Sequence, residues 1–152
     1  MDSFDKKILG LVQSDVSLSL ADISDRVHLS RNACWKRIRQ LEEHGIIRQR
    51  VALLDRKAVN VGLTVFISIR AERHARDWVE RFCQTIRTMP EIVGIYRTTG
   101  QSDYLLHVVV PDVTAYDGLH QRLMDQVDRK DISSAFVMEE IKYTTEVPLD
   151  YI

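Results

Sequence analysis

The stretch SRNACWKRIRQLEEHG, residues 30–45, decides how this chain is read. Laid out at about 100° per residue, Cys34, Ile38 and Leu41 fall on one side of a helix, spaced i, i+4, i+7. Ser30 stands where an N-capping hydroxyl belongs, and Gly45 where a helix ends in left-handed backbone. The spacing therefore predicts a helix capped by Ser30 and reaching His44, with those three residues against a core. The opposite side carries Asn32, Lys36 and Arg39, flanked by Arg31 and Trp35. Arg and Lys bond guanine, Asn bonds adenine, and an apolar edge meets a thymine methyl. The backbone N–H groups of the first turn favour a phosphate. Ser30, Arg31, Asn32, Trp35, Lys36 and Arg39 are thus the candidate DNA-contacting residues. Their neighbours have plainer readings. Arg37 lies at the edge of the core side and reads as structural, paired with a carboxylate. Trp35 could equally pack on a neighbouring segment. Cys34 reads as a small core residue rather than a ligand or redox sensor.

Working outward, Phe4, Ile8, Leu11 and Val12 recur at helical spacing and predict a helix over Phe4–Gln13. A second helix is expected over Leu20–Val27, capped by Ser19, with Ile23 and Val27 inward. His28-Leu29 is a tight turn. Three short helices with a tight turn before the third are the helix-turn-helix pattern, which also occurs in proteins that bind no DNA. Ile46–Leu54 is rich in aliphatic and β-branched residues and reads as a strand, making the domain winged-helix-like. The predicted organisation is a DNA-binding domain at 1–54 including that strand, a short connection at 55–62, and a second domain at 63–152.

Charge supports a polyanion partner for the first part alone. Met1–Lys57 holds 11 Lys/Arg against 8 Asp/Glu, and Ala58–Ile152 holds 10 against 14. Between Arg26 and Lys57 nine cations meet three anions. A local basic block in a chain of net charge −1 points to nucleic acid at that segment, or to a solvated helix face. The two cysteines, Cys34 and Cys83, have no metal-ligand spacing, so neither a zinc site nor a cofactor is expected. No secretory leader pattern opens the chain, and its longest apolar run, Val59–Ile69, is far short of the roughly 20 residues of a membrane span. A cytoplasmic protein with reduced cysteines is expected.

The second half changes period. Strands are predicted over Leu63–Ala71, Ile92–Thr99, Tyr104–Val110 and Ile132–Thr144. A helix is expected over Ala75–Met89, with Trp78, Val79, Phe82, Cys83 and Ile86 on one stripe and Pro90 as its stop. Another is expected from an Asp112 cap to Val127, with Tyr116, Leu119, Leu123 and Val127 inward. The order βαββαβ defines an α+β, ferredoxin-like sandwich: one antiparallel sheet with two helices on one face. The other face is left bare, with Val65, Ile67, Val109 and Val137 among its candidate apolar residues, and needs a partner. A second copy of the sheet is the simplest cover.

At these residues the chain resembles the Lrp/AsnC, or feast/famine, family of transcription regulators. Phe4-Asp5-Lys6-Lys7-Ile8-Leu9, Leu29-Ser30 and the run Arg37–Ile47 carry the likeness in the first half. Thr99-Gly100-Gln101-Ser102-Asp103-Tyr104-Leu105-Leu106 and Val137-Met138-Glu139-Glu140-Ile141-Lys142 carry it in the second. Cys34-Trp35-Lys36-Arg37 and the tail Ile141–Thr145 look like a branch that includes a cysteine-responsive activator of cysteine detoxification. The resemblance implies no enzyme but a regulator of transcription that binds double-stranded DNA. It also implies homodimers through the second domain, assembly to octamers, and an effector amino acid held between subunits at the hairpin turn.

The turn Gly100-Gln101-Ser102-Asp103 suits such a ligand. Gly100 permits close backbone approach, so turn N–H groups can hold a carboxylate. Asp103 can accept the ammonium in a charge-assisted bond. Tyr104, with Ala135 and Phe136 of the last strand, can shape a side-chain pocket. The plainer reading is a hairpin whose Gly, Ser and Asp are turn formers. Two other functions fit less well. A hydrolase on the ferredoxin-like fold would use Arg70 and Arg73 after the first strand, but no Gly-rich cradle surrounds them and the five histidines are scattered. An architectural DNA-wrapping protein would not need a reading helix and a ligand turn together.

Overall fold

The computed structural model describes residues 1–70, 76–125 and 132–152. The chain divides into two compact units, Met1–Leu53 with Lys142–Ile152, and Leu54–Ile141. The C-terminal segment therefore joins the first unit, whereas the sequence suggested that 63–152 would be one domain.

In the first unit, α1 (Ser3–Ser14), α2 (Leu20–Val27) and α3 (Arg31–Glu43) form where the sequence predicts. Each start has a local cause. Asp2 Oδ1 accepts from the N–H groups of Phe4 and Asp5, both at 2.9 Å, and Asp5 returns the bond to the Asp2 N–H. Ser19 and Asp22 make the same reciprocal box on α2. His28 ends α2 in left-handed backbone (φ 58°), which turns the chain sharply into Ser30 and α3. Gly45 (φ 69°) ends α3, and the Ile46 N–H reaches back to the Leu41 carbonyl at 2.9 Å. Ile8, Leu9, Ile23, Val27, Cys34, Ile38 and Leu41 form the core, with Ile47 and Leu149 packed on it.

The strand expected over Ile46–Leu54 does not form. The segment joins no strand among the described residues, and Val51, Leu53 and Leu54 are exposed. Strand propensity records fit to a half-buried, paired surface, and a lone segment has no ladder to join. The connection that follows is ordered: Asp55 Oδ1 accepts from the Lys57 and Ala58 N–H groups, and the Val61 N–H bonds the Arg56 carbonyl at 2.8 Å.

The second unit has the predicted order, β1 (Leu63–Ile69), α4 (Arg76–Arg87), β2 (Ile92–Arg97), β3 (Tyr104–Val110), α5 (Val113–Met124) and β4 (Ile132–Phe136). The strands lie β2-β3-β1-β4, all neighbours antiparallel. Phe82 and Ile86 of α4 and Tyr116, Leu119 and Leu123 of α5 share one core with Val65, Ile67, Ile69, Leu106, Val108 and Val110, so both helices cover the same sheet face. The α4 side chains of Trp78 and Val79, the expected inward Val127, and the helix and strand ends at Ala75 and Ala71 lie outside the described residues.

Two expectations are corrected. Val65 and Ile67 face the helices and are fully buried, not on the bare face. The register pairs Thr64 with Val109 and Phe66 with His107, so the open face carries Thr64, Phe66, Leu105, His107 and Val109. The last strand stops at Phe136 instead of Thr144. The Val137 N–H still bonds the Thr64 carbonyl at 3.0 Å, but the ladder goes no further, and β1 itself begins only one residue beyond, at Leu63.

Candidate functional site

The third helix presents the predicted faces. Cys34, Ile38 and Leu41 are buried, while Arg31, Asn32, Trp35, Lys36 and Arg39 are exposed in one row with Ser30 at its start. Ser30 caps the helix by accepting from the Ala33 N–H at 3.2 Å. The first turn contains no acidic residue, so nothing there opposes an approaching phosphate. Burial pushes the Cys34 thiol up, which keeps it protonated and inert, as a core residue should be.

Ion pairs sort the basic residues. Arg37 lies inside the unit, with Nη1 at 2.8 Å from Asp2 and 2.7 Å from Asp5 and its guanidinium 5.6 Å from the Phe4 ring centroid. The Asp5 backbone N–H holds the Asp2 carboxyl below its usual range, and Arg37 deepens the shift. Arg39 lies outside, bonded to Glu43 at 3.0 Å and 5.6 Å from the Trp35 ring centroid. Arg50 pairs with Glu42 at 2.8 Å. Among the described residues Arg31 and Lys36 form no ion pair. Trp35 is 49% exposed and lines a cleft with Val12, Val16 and Ile38, so it packs on a neighbouring segment while keeping an open edge.

In the second unit, Gly100, Gln101, Ser102 and Asp103 form the β2–β3 turn, with Gly100 at φ 113°. The turn is tightly braced. The Asp103 N–H bonds the Ile69 carbonyl at 2.9 Å, Thr98 Oγ1 donates to the Ser102 carbonyl at 2.7 Å, and Arg70 Nε donates to the Gln101 carbonyl at 2.9 Å. This Arg70 contact was not foreseen; Arg70 braces the turn from the end of β1. Arg73 lies outside the described residues.

The other three expected pocket residues do not converge on the turn within one chain. Tyr104 follows it directly, but its ring is buried edge-on to Phe82, 5.6 Å between centroids. Phe136 faces the helices against Tyr116, and Ala135 is exposed on the opposite face. Phe136 pairs with Val65, four residues from the Ile69 end of β1, or about 13 Å along the strand.

The place of the C-terminal tail in the first unit was not foreseen. Gln13 of α1 clasps Val147 in both directions: its Nε2 donates to the Val147 carbonyl at 3.2 Å, and the Val147 N–H donates to its Oε1 at 3.1 Å. Leu149 packs on the helical core nearby. The apolar spacing of Val147 and Leu149 was the available signal.

A helix-turn-helix with a basic outer row, joined to a ferredoxin-like sandwich with a braced hairpin, defines a DNA-reading regulator with a ligand-binding module. Residues 64–147 match the family model of the Lrp/AsnC ligand binding domain, and residues 1–48 match that of a winged helix-turn-helix DNA-binding domain. The chain belongs to the Lrp/AsnC family of transcription regulators, and is not an enzyme. It is 41% identical over 151 residues to the DNA-binding transcriptional activator DecR of Escherichia coli, covering 99% of each chain. An AsnC family transcriptional regulator from Agrobacterium tumefaciens is 51% identical, with a TM-score of 0.95 over 100% of this chain and 99% of that one. The transcriptional regulator NMB0573 from Neisseria meningitidis, solved as an L-Met complex, is 38% identical, with a TM-score of 0.92 over 99% of this chain and 98% of that one. No helix among the described residues is long and apolar enough to cross a membrane.

Proposed function

We propose that this regulator reads a specific operator through Ser30, Arg31, Asn32, Trp35, Lys36 and Arg39. A small amino acid held at the Gly100–Asp103 turn then tunes that binding. The observation that carries the first half is the exposed row on α3 opposite buried Cys34, Ile38 and Leu41. The turn supports the second half. Gly100 leaves room for a carboxylate at the turn's N–H groups, and Asp103 supplies a negative group for the ammonium.

The rest of the pocket comes from a second copy. Ala135 and Phe136 of one chain lie far from its own turn, whereas pairing two open sheet faces supplies a subunit boundary at which a partner can complete the site. The dimer formed this way assembles further to an octamer. The neighbour solved with L-Met and the resemblance to a cysteine-responsive branch make L-methionine and L-cysteine the first effectors to test.

The experiment is a thermal-shift screen of the twenty amino acids, followed by operator affinity with and without the hit. A ligand that binds only the native state raises its stability. The expected hit also changes operator affinity, and by linkage DNA changes the affinity for the hit by the same factor. No amino acid shifting either quantity would refute the effector half. Equal affinity for operator and random DNA across a salt series would refute specific reading and favour an architectural role.

A further inference from the structure

The open sheet face carries one titratable ring near its middle. His107 on β3 is paired with Phe66 on β1 and with Gly94 on β2. It stacks on Phe66, 5.0 Å between centroids and 24° between planes. Its Nε2 is shielded from solvent and has no hydrogen-bond partner among the described residues, although the residue as a whole is only partly buried. On the β2 side the Tyr96 phenol lies across Gly94: a Cβ there would stand 2.9 Å from the Tyr96 ring and 3.2 Å from the His107 Cβ. The charged groups that face His107 are Arg56, from the turn before β1, and Glu140, beyond β4. They are bonded to each other, and Arg56 also donates to Thr64 Oγ1 at 2.9 Å. Burial holds the imidazole below its ordinary value of 6.5, Arg56 lowers it further, and Glu140 opposes them.

This is the face that two paired copies would cover. We propose that His107 makes the pairing of two open sheet faces sensitive to pH, so that copies hold together while the ring is neutral and part as it takes up a proton. The inference rests on the sheet-face pairing proposed above. A neutral ring stacked on Phe66 can be buried under a second sheet. A charged ring with Arg56 beside it and no acceptor at Nε2 resists burial.

The sign follows from linkage. In a separate subunit the residue is only partly buried, so it takes a proton more readily than when a second sheet covers it. Association is therefore at full strength above the separate subunit's own imidazole transition, which lies below 6.5, and weakens as pH falls through it. Two rings are covered in each dimer, so the dissociation constant can change by up to about a hundredfold per pH unit.

The test is the dimer dissociation constant of the full chain, by analytical ultracentrifugation at fixed salt between about pH 8 and pH 5, a range that runs from above the ordinary imidazole value to well below it. Wild type is compared with His107→Phe, which keeps an aromatic ring on Phe66 but cannot titrate, and with His107→Gln in case the larger ring disturbs the sheet. The wild-type constant should rise at least about tenfold on acidification, and the variants should change less than about twofold. Equal pH dependence in wild type and both variants would overturn the role of His107 and leave the pairing standing. A wild-type chain that stays monomeric at pH 8 would overturn the pairing itself and the switch with it.

Discussion

Arg37 and Arg39, two positions apart on one helix, stand in different surroundings. Arg37 sits between Asp2 and Asp5 and ties α3 to the start of α1. Arg39 is held only by exposed Glu43 and by Trp35, and a surface pair of that kind is worth about 0–1 kcal/mol, so DNA can displace it. Arg39→Ala is therefore expected to weaken operator binding by about 1–3 kcal/mol, the worth of a bidentate base contact, with an unchanged melting temperature. Arg37→Ala should do the reverse: a lower melting temperature, and DNA affinity kept where the fold persists. Anisotropy titrations and thermal melts on both variants check the pair, and a swapped pattern would exchange the assignments. At the hairpin, Asp103→Asn keeps shape but removes charge. Operator binding without effector should survive, and the effector concentration needed for a response should rise, because a charge-assisted bond is about twice as strong as a neutral one. An unchanged response would make Asp103 a turn residue only. The two faces of α3 were legible in the sequence because helical period alone sorts them. The partners of Arg37 were not, because Asp5 is 32 residues away and only tertiary packing brings it close.

At the scale of elements, what the sequence showed depended on how much each element relies on its own residues. The three N-terminal helices carry their caps with them, and α2 begins and ends where predicted. Strands rely on neighbours. Ile46–Leu54 has strand composition but no partner strand among the described residues, and Ile132–Thr144 pairs with β1 only as far as Phe136. Facing was harder still. In Leu63–Ile69, LTVFISI, apolar residues occupy both parities, and a one-residue difference in phase exchanges the faces. Only the register against β3 and β4 shows that Val65 and Ile67 point to the helices and Phe66 away. The tail is the element least visible in advance, since it forms neither helix nor strand. Its attachment through Leu149 and the Gln13–Val147 clasp gives a direct test. Leu149→Ala removes part-buried packing and should destabilise the helical unit by about 1–2 kcal/mol, below the range for a fully buried leucine. Denaturant melts that match wild type would mean the tail is not held there.

For the whole molecule, the open face of the sheet is where self-association is argued. A fragment spanning Leu54–Ile141, the second unit, is expected to dimerise without the DNA-binding unit. Light scattering that reports a monomer at working concentration would refute the sheet-face interface. Two-fold symmetry then calls for a pseudo-palindromic operator, with half-sites roughly 34–36 Å apart or a multiple of that. The choice of fragment ends follows from the division of the chain. A piece beginning at Gly62 and running to Ile152 would carry a tail whose seat on α1 had been cut away. That same return of the tail places Met1 and Ile152 in one unit, so the sensing unit is in effect an insertion within the DNA-binding unit. Reporters fused to the first and last residues both ride on the helix-turn-helix. The distance between them reads the integrity of that unit and is blind to the sensor, and following the effector optically requires a label within 54–141.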